Sequence, residues 1–384
     1  MRILLNGRPA VGARSGIGWY TLRLGQALAD LDQVETVEFA IGGRTAPLSA
    51  VVCESSPTSS RWMNAVRGAS RNMLPAAGRQ ALWNLASRDL RRRSSEWSVF
   101  HETNYVAPNV TIPLVTTVCD MSYVRHPEFM PRHRRRWLRA YLEKRLQQSR
   151  AIISISRFTT EELVTSFPWL DRTRIFTTPL GVDHTEFHSR RDPDEERRLS
   201  ETYNLPSRFL LYLGTLEPRK NLQGLLRGYA MLPERLRSEF PLVLAGNDGW
   251  RQSYFRDLVR DLRQDGCLRW LGYVPQGDVP GLLRAADLFC FPSLYEGFGL
   301  PALEAAACGT AVLCGRASSL PEVMGDAAHY VDPHCAESIA AGLLNVLSDA
   351  SYRDVLAVGG PDRAAPFTWN RCAEQTLAAY RRAA

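Results

Sequence analysis

The stretch Leu288-Phe289-Cys290-Phe291-Pro292-Ser293-Leu294-Tyr295-Glu296-Gly297-Phe298-Gly299-Leu300-Pro301-Ala302-Leu303-Glu304 decides how the chain is read. Its apolar start predicts a strand ending at Phe291, and its glycines predict a loop. Pro301, whose locked φ suits the first turn of a helix, predicts a helix start. Strand, loop and helix in that order form the repeating unit of a parallel sheet covered by helices. The loop and the helix opening present free backbone N–H groups at the positive end of a dipole, a setting for phosphate oxygens. Glu296 and Glu304 stand eight residues apart, at most ~12 Å at the rise of a helix. Carboxylates repel phosphate, so the pair suits hydroxyl groups beside it. The competing reading is a surface loop whose acids cap or solvate the helix.

The same rhythm runs outward in both directions. Strands are expected at Ile3–Leu5, Val37–Ile41, Val99–His101, Leu114–Val118 and Ala151–Ile155, then at 209–214, 241–245, 268–271, 287–290 and 311–314. Helices are expected over Gly16–Leu31, Arg132–Gln148 and Phe158–Ser166, and others begin near Leu222, Tyr254, Asp278, Pro301 and Leu320. Continuous Val/Ile/Leu runs alternating with helices predict an α/β chain of two Rossmann-like, doubly wound parallel-sheet domains facing a central cleft. Residues 44–75 are poorly patterned and read as loop with one or two mobile helices. Asp192-Pro193-Asp194-Glu195-Glu196-Arg197-Arg198 interrupts the pattern as a linker does. The expected division is an N-terminal domain over 1–185, a linker over 186–207, a second domain over 208–366 and a terminal helix over 367–384.

A chain of 384 residues, 45% apolar and 23% charged, fits two or three globular domains and excludes a disordered or collagen-like polymer. Its longest apolar runs fall far short of the ~20 residues of a membrane span. Met1-Arg2-Ile3-Leu4-Leu5 passes directly into Asn6-Gly7-Arg8, which does not read as a signal peptide and predicts a protein that is not exported. Eight scattered cysteines without a Cys-x-x-Cys pair argue against structural zinc and disulfides, and for buried thiols in the cytoplasm. The net charge of +7 is lopsided: residues 1–180 carry 25 Lys and Arg against 14 Asp and Glu. The excess lies in eight arginines between Arg61 and Arg93 and in Arg132-His133-Arg134-Arg135-Arg136-Trp137-Leu138-Arg139. With Trp62, Trp83, Trp97 and Trp137 interleaved, these predict a cationic face for an anionic membrane surface or a phosphorylated lipid. Solvated helix faces are the alternative. No nucleic-acid-binding signature accompanies the charge, so no nucleic-acid partner is expected.

Two further loops carry chemistry. Leu213-Gly214-Thr215-Leu216-Glu217-Pro218-Arg219-Lys220-Asn221 ends the first strand of the second domain. Its glycine permits close backbone approach, and Arg219 with Lys220 offers a fork and a point charge for a diphosphate, while Asn221 suits the cap of the next helix. Gly12-Ala13-Arg14-Ser15-Gly16-Ile17-Gly18-Trp19 follows the first strand and suggests a backbone cradle before a helix. Asp30-Leu31-Asp32 and Asp192-Pro193-Asp194 match an Asp-x-Asp metal pattern but fall at a helix end and in the expected linker, so no metal is expected at either.

Taken together, these segments resemble glycosyltransferase family 4, retaining enzymes of the two-domain GT-B fold. The Glu-x7-Glu segment and Glu217-Pro218-Arg219-Lys220-Asn221 carry the likeness most specifically. Thr117 to Glu128 and Ile153-Ser154-Ile155-Ser156-Arg157-Phe158 extend it to the first domain. The resemblance implies hexosyl transfer from a nucleotide-diphosphate sugar, with no cofactor and no metal. It makes Glu296, Arg219, Lys220 and Asp120 the catalytic group. Gly16, Gly18, Gly214, Thr215, Tyr273, Val274, Gly297, Phe298, Gly299, Leu300 and Glu304 become the donor contacts, with Glu304 on the ribose and Glu296 on the sugar hydroxyls. Tyr123, His126 and Arg157 fall on the acceptor side. The terminal helix is implied to cross back to the first domain.

Many relatives have His before the Asp at the position of Cys119-Asp120, and this departure leaves open a donor lacking the hydroxyl that His grips. Within the family the segments resemble bacterial mannosyl- and rhamnosyltransferases of O-antigen or exopolysaccharide assembly. That implies GDP-mannose or GDP-rhamnose as donor and a lipid-linked saccharide as acceptor. The expected location is the cytoplasm, peripheral on the inner face of the inner membrane. The alternatives are an inactive sugar-nucleotide-binding scaffold on the same fold, or a soluble GT-B synthase or epimerase.

Overall fold

Strand β1, Arg2–Asn6, is apolar and almost wholly buried, and it pairs in parallel with β2, Thr36–Ile41, on one side and β4, Val99–Glu102, on the other. The computed structural model describes residues 1–12, 14–41, 43–53, 78, 81, 84–85, 87–215, 217–246, 259–260, 262–263 and 265–384. These residues form two units: Met1–Gly181 together with Trp369–Ala384, and Val182–Thr368.

In the first unit the strand order is β3-β2-β1-β4-β5-β6-β7, with β3 at Arg44–Pro47, β5 at Leu114–Val118, β6 at Ala151–Ser154 and β7 at Ile175–Thr177. All pairs are parallel except β2 with β3. Every residue of β5 and β6 is buried, as apolar runs covered on both faces require. The order reverses between β1 and β4, and binding crevices of doubly wound sheets lie beside such a point, at the carboxyl ends of the strands.

The C-terminal helix Trp369–Ala383 belongs to this first unit and packs on the helix Gly16–Ala29. Its buried face includes Cys372, Thr376, Leu377 and Tyr380. The Tyr380 hydroxyl lies 2.7 Å from His101 Nδ1, His101 Nε2 lies 2.7 Å from Thr117 Oγ1, and Tyr20 Oη lies 2.9 Å from that same oxygen. Burial pushes the His101 imidazolium down to about 3, so the ring is a neutral member of a buried polar chain.

The second unit has a six-stranded parallel sheet, ordered β10-β9-β8-β11-β12-β13. Here β8 is Leu210–Leu213, β9 Leu242–Ala245, β10 Leu268–Gly272, β11 Leu288–Phe291, β12 Val312–Gly315 and β13 His329–Val331. Leu210, Tyr212, Leu242, Leu288, Cys290 and Leu313 share its core. Cys119, Cys267, Cys290, Cys308, Cys314 and Cys372 are free and buried.

Three expectations are corrected. Residues 44–47 are not loop but the antiparallel edge strand β3, followed by the helix Leu48–Cys53; an edge strand that is half exposed along its length lacks the alternation that marks a strand. Residues 54–77 lie outside the described residues. The expected 186–207 linker is part of the second unit, and Pro193–Tyr203 is a helix there. Asp192 caps its N–H groups, Pro193 occupies its first turn and Asp194, Glu195 and Glu196 sit at its positive end, so charge and proline that look like an interruption are a helix start. Trp97 is buried beside Leu4 and Phe100 rather than on a cationic face. Trp62 and Trp83 lie outside the described residues. Arg132, Arg134, Arg136 and Arg139 are exposed on the helix Arg132–Gln148, whose Leu138, Leu142 and Leu146 are buried at four-residue intervals.

Replacing Tyr380 by Phe leaves His101 Nδ1 buried without its partner. We expect Tyr380→Phe to lower the unfolding free energy by about 1–3 kcal/mol, read from urea denaturation at neutral pH; an unchanged midpoint and slope would remove the tether assigned to this hydroxyl.

Candidate active site

Three loops meet at the carboxyl ends of β8, β11 and β12 in the second unit. At the end of β8 the chain turns through Gly214, whose φ is +152°, and Gly246 after β9 lies so close that a Cβ there would strike the Gly214 carbonyl. The turn Pro218–Lys220 ends at Asn221 in the left-handed region, φ +58°. Asn221 Oδ1 accepts from the Gly224 N–H (3.2 Å), capping the helix Leu222–Ala230, while Nδ2 donates to Pro292 O (3.0 Å) and Pro333 O (2.6 Å). One buried amide thus ties the β8 loop to the loops after β11 and β13. The Leu294 N–H adds a bond to Arg219 O at 2.8 Å.

This tie brings three charges together. Arg219 Nη1 lies 2.7 Å from Glu296 Oε2 and Lys220 Nζ lies 2.6 Å from Glu296 Oε1. Arg219 also reaches Glu217 Oε2 at 3.2 Å and the Tyr295 carbonyl at 3.2 Å. Glu296 is 6% exposed and Lys220 8%, so the pair sits where unpaired charge is costly. Burial works against the ionised Glu296 carboxyl, yet Arg219 and Lys220 overcome it and hold it down at about 2. Burial pulls the Lys220 ammonium below its usual range, and Glu296 opposes that pull. The Lys220 ammonium also lies 4.5 Å from the centre of the Phe291 ring, a cation–π contact.

Two serines after β12 fix the backbone around Glu296. Ser318 Oγ accepts from the Glu296 N–H at 2.8 Å, and Ser319 Oγ faces both the Glu296 carbonyl (2.9 Å) and the Phe298 carbonyl (3.0 Å). Ser318 is held at φ +52°, a conformation of a non-glycine residue that persists where its surroundings demand it. A Cβ on Gly315 would lie 2.6 Å from Ser293 O, so only glycine lets the β12 exit come this near. Gly299, φ +103°, precedes the helix Leu300–Ala307, and a Cβ there would meet Leu320 Cδ2 at 2.5 Å. Glu304 lies on that helix, half buried.

Among the other expected donor contacts, Gly297 and Phe298 are buried in the same loop, Thr215 is exposed beyond β8, Tyr273 is exposed and Val274 is buried beyond β10. In the first unit Gly16 opens its helix with open space where a side chain would stand. Gly18 is buried, and a Cβ there would strike the Pro9 carbonyl; its glycine serves helix packing. Asp120 Oδ1 accepts from the Ser122 N–H at 2.9 Å. Tyr123 is buried, His126 stacks on Phe129 and faces Glu128 at 3.2 Å, and Arg157 is exposed. Cys119 Sγ lies 3.9 Å from the Thr103 carbonyl and burial pushes its thiol well up. Among the described residues no cluster of three or more His, Cys, Asp or Glu could hold a metal ion.

Ser318, Ser319 and the bridging role of Asn221 escape sequence reasoning, because their partners lie across strand ends. The Ser-Ser pair before Leu320-Pro321 was the available signal, since serine favours a helix start. Glu102 escapes it too: buried at the end of β4, it accepts from Asn6 Nδ2 (2.7 Å) and the Asn104 N–H (2.9 Å), and burial lifts its carboxyl to about 7.

Residues 14–186 match the family described as Glycosyltransferase Family 4, and residues 194–362 the family described as Glycosyl transferases group 1. The chain is 34% identical to the O-antigen chain mannosyltransferase B of Escherichia coli, over 99% of this chain and 100% of that protein. It is 31% identical to the serotype-specific mannosyltransferase WbdA of Escherichia coli, over 62% of this chain and 29% of that one. Its fold is that of HepE from Anabaena, solved with UDP and glucose, at a TM-score of 0.71 and 16% identity over 98% of both chains.

Two outcomes follow from this geometry. Ser319→Ala removes one hydroxyl facing two carbonyls and should cost about 1–3 kcal/mol of unfolding free energy, measured in urea. Glu296 has a lowered folded-state pKa, so its contribution to stability is complete above the unfolded value of 4.5 and is lost as pH falls towards about 2. Acid titration of Tm should therefore show a descending step across that window which Glu296→Gln lacks; identical profiles would contradict the pairing.

Proposed function

Because the chain belongs to glycosyltransferase family 4, we propose that it is a mannosyltransferase of lipopolysaccharide O-antigen synthesis, moving mannose from GDP-mannose to a lipid-linked saccharide. Identity of 34% over the full length of an O-antigen mannosyltransferase supports both the sugar and the pathway. The observation that carries the site is the buried Glu296 carboxylate between Arg219 and Lys220 at the carboxyl edge of the second sheet.

In this reading Arg219 and Lys220 grip the diphosphate, joined by backbone N–H groups of Gly297 to Leu300 and of Gly214 and Thr215. Glu304 takes the ribose hydroxyls, and Tyr273 and Val274 border the base. Glu296 receives sugar hydroxyls near the anomeric carbon. In the first unit, the family resemblance assigns Gly16 and Asp120 to the donor and Tyr123, His126 and Arg157 to the acceptor. Transfer keeps the anomeric configuration: the bond from C1 to the diphosphate oxygen breaks as the acceptor oxygen bonds C1 from the same face. The acceptor proton passes to the departing diphosphate. The charge that grows on that diphosphate is met by preorganised cations, the role of an oxyanion hole, and this supports a metal-independent reaction. The exposed arginines at 132, 134, 136 and 139 support peripheral contact with an anionic membrane on the cytoplasmic side. Among the described residues no helix is long and apolar enough to cross a membrane.

The test is turnover of GDP-mannose with a lipid-linked mannosyl acceptor. Wild-type protein should transfer mannose with retention and keep its rate in EDTA. Lys220→Ala, folded by thermal melt, should lose roughly 10²–10³ in kcat. Near-normal turnover by that variant, or a requirement for manganese, would overturn the cationic mechanism.

A further inference from the structure

Both cations of the site already hold an anion, the Glu296 carboxylate, at 2.7 and 2.6 Å. Resting on the donor reading above, we propose that Glu296 is a specificity-determining residue that makes the site favour a nucleotide still carrying its sugar over the bare nucleoside diphosphate.

The argument is one of competition and containment. A diphosphate that takes Arg219 and Lys220 competes with Glu296 for them, since a further like charge against the carboxylate is disfavoured. The displaced carboxylate cannot retreat into water. Its residue is 6% exposed, and the backbone on either side is held by Ser318 and Ser319 at 2.8 to 3.0 Å. Only the side chain turns, at a buried position, where a carboxylate without donors is strongly disfavoured. A hexose supplies those donors through its hydroxyls. A bare nucleoside diphosphate brings phosphate but no such hydroxyls, so its binding strands the carboxylate. Once the sugar has left, the same imbalance returns Glu296 to the cations and expels the product.

The experiment is calorimetric titration of wild type, Glu296→Gln and Glu296→Asp with GDP and GDP-mannose, and with UDP and UDP-glucose as a second pair. Glu296→Gln removes the competitor but also changes the net charge of the clamp. Glu296→Asp keeps the charge and draws the carboxylate back by one methylene, so it separates displacement from charge and serves if the glutamine variant is poorly folded. In both variants the bare nucleotide should bind tighter, roughly tenfold in the glutamine variant, while the preference for the sugar nucleotide shrinks. If both ligands of a pair shift by the same factor in both variants, or the bare nucleotide binds no tighter, the inference fails. Binding of the uridine pair alone changes the base, and the ratio within that pair then decides. A wild-type protein that binds none of the four ligands overturns the donor reading beneath.

Discussion

The second unit is organised around an ion cluster in which the buried pair Glu296 and Lys220 meets the half-buried Arg219 and Glu217. Removing Glu296 and Lys220 from water is costly, and mutual attraction offsets the cost only when geometry is tight. Tight geometry requires a backbone that does not move. Asn221 bridges the loops from the β8 side, and Ser318 and Ser319 brace the Glu296 loop from the β12 side. The positive φ of Ser318, the cramped glycines at 246, 299 and 315, and the Leu294 to Arg219 backbone bond all serve this placement. Lowering of the Glu296 pKa despite burial is the electrostatic result.

The first unit solves a different problem. Its sheet ends at a C-terminal helix that returns from the far end of the chain, and a neutral buried histidine joins the two through Tyr380 and Thr117. Because burial pushes His101 down to about 3, this polar chain carries no charge near neutrality. The carboxyl edge of this sheet gathers Asn6, Glu102 and Asn104 into a second buried set. Its groups hold loops together.

Much of the site was legible because it is local. Phe291 to Glu304 announces strand, loop and helix within fourteen residues, and the adjacent Arg219 and Lys220 announce a pair of cations beside the strand end. Two features misled for physical reasons. Asp192 and Pro193 look like an interruption because N-caps and linkers share residue types, and only the burial of Leu199 and the pairing of Glu195 with Arg284 separate them. Trp97 sits among arginines in sequence yet turns inward, with Arg93 over its ring. Ser318 and Ser319 were silent because a serine hydroxyl declares its partner only when two strand ends are brought side by side.

From residues alone came the succession of strands and helices, the loop and helix opening after Phe291, and the charges near it. These depend on periodicity and on chemistry between near neighbours, which a linear string preserves. Tertiary structure decided that Glu296 lies between Arg219 and Lys220, some seventy-six residues away, and that its backbone is held by serines from a third strand. It also decided which arginines reach solvent and which tryptophan joins the core. Those outcomes depend on which strand ends become neighbours and on how much water is excluded there, and both are properties of the packed sheet.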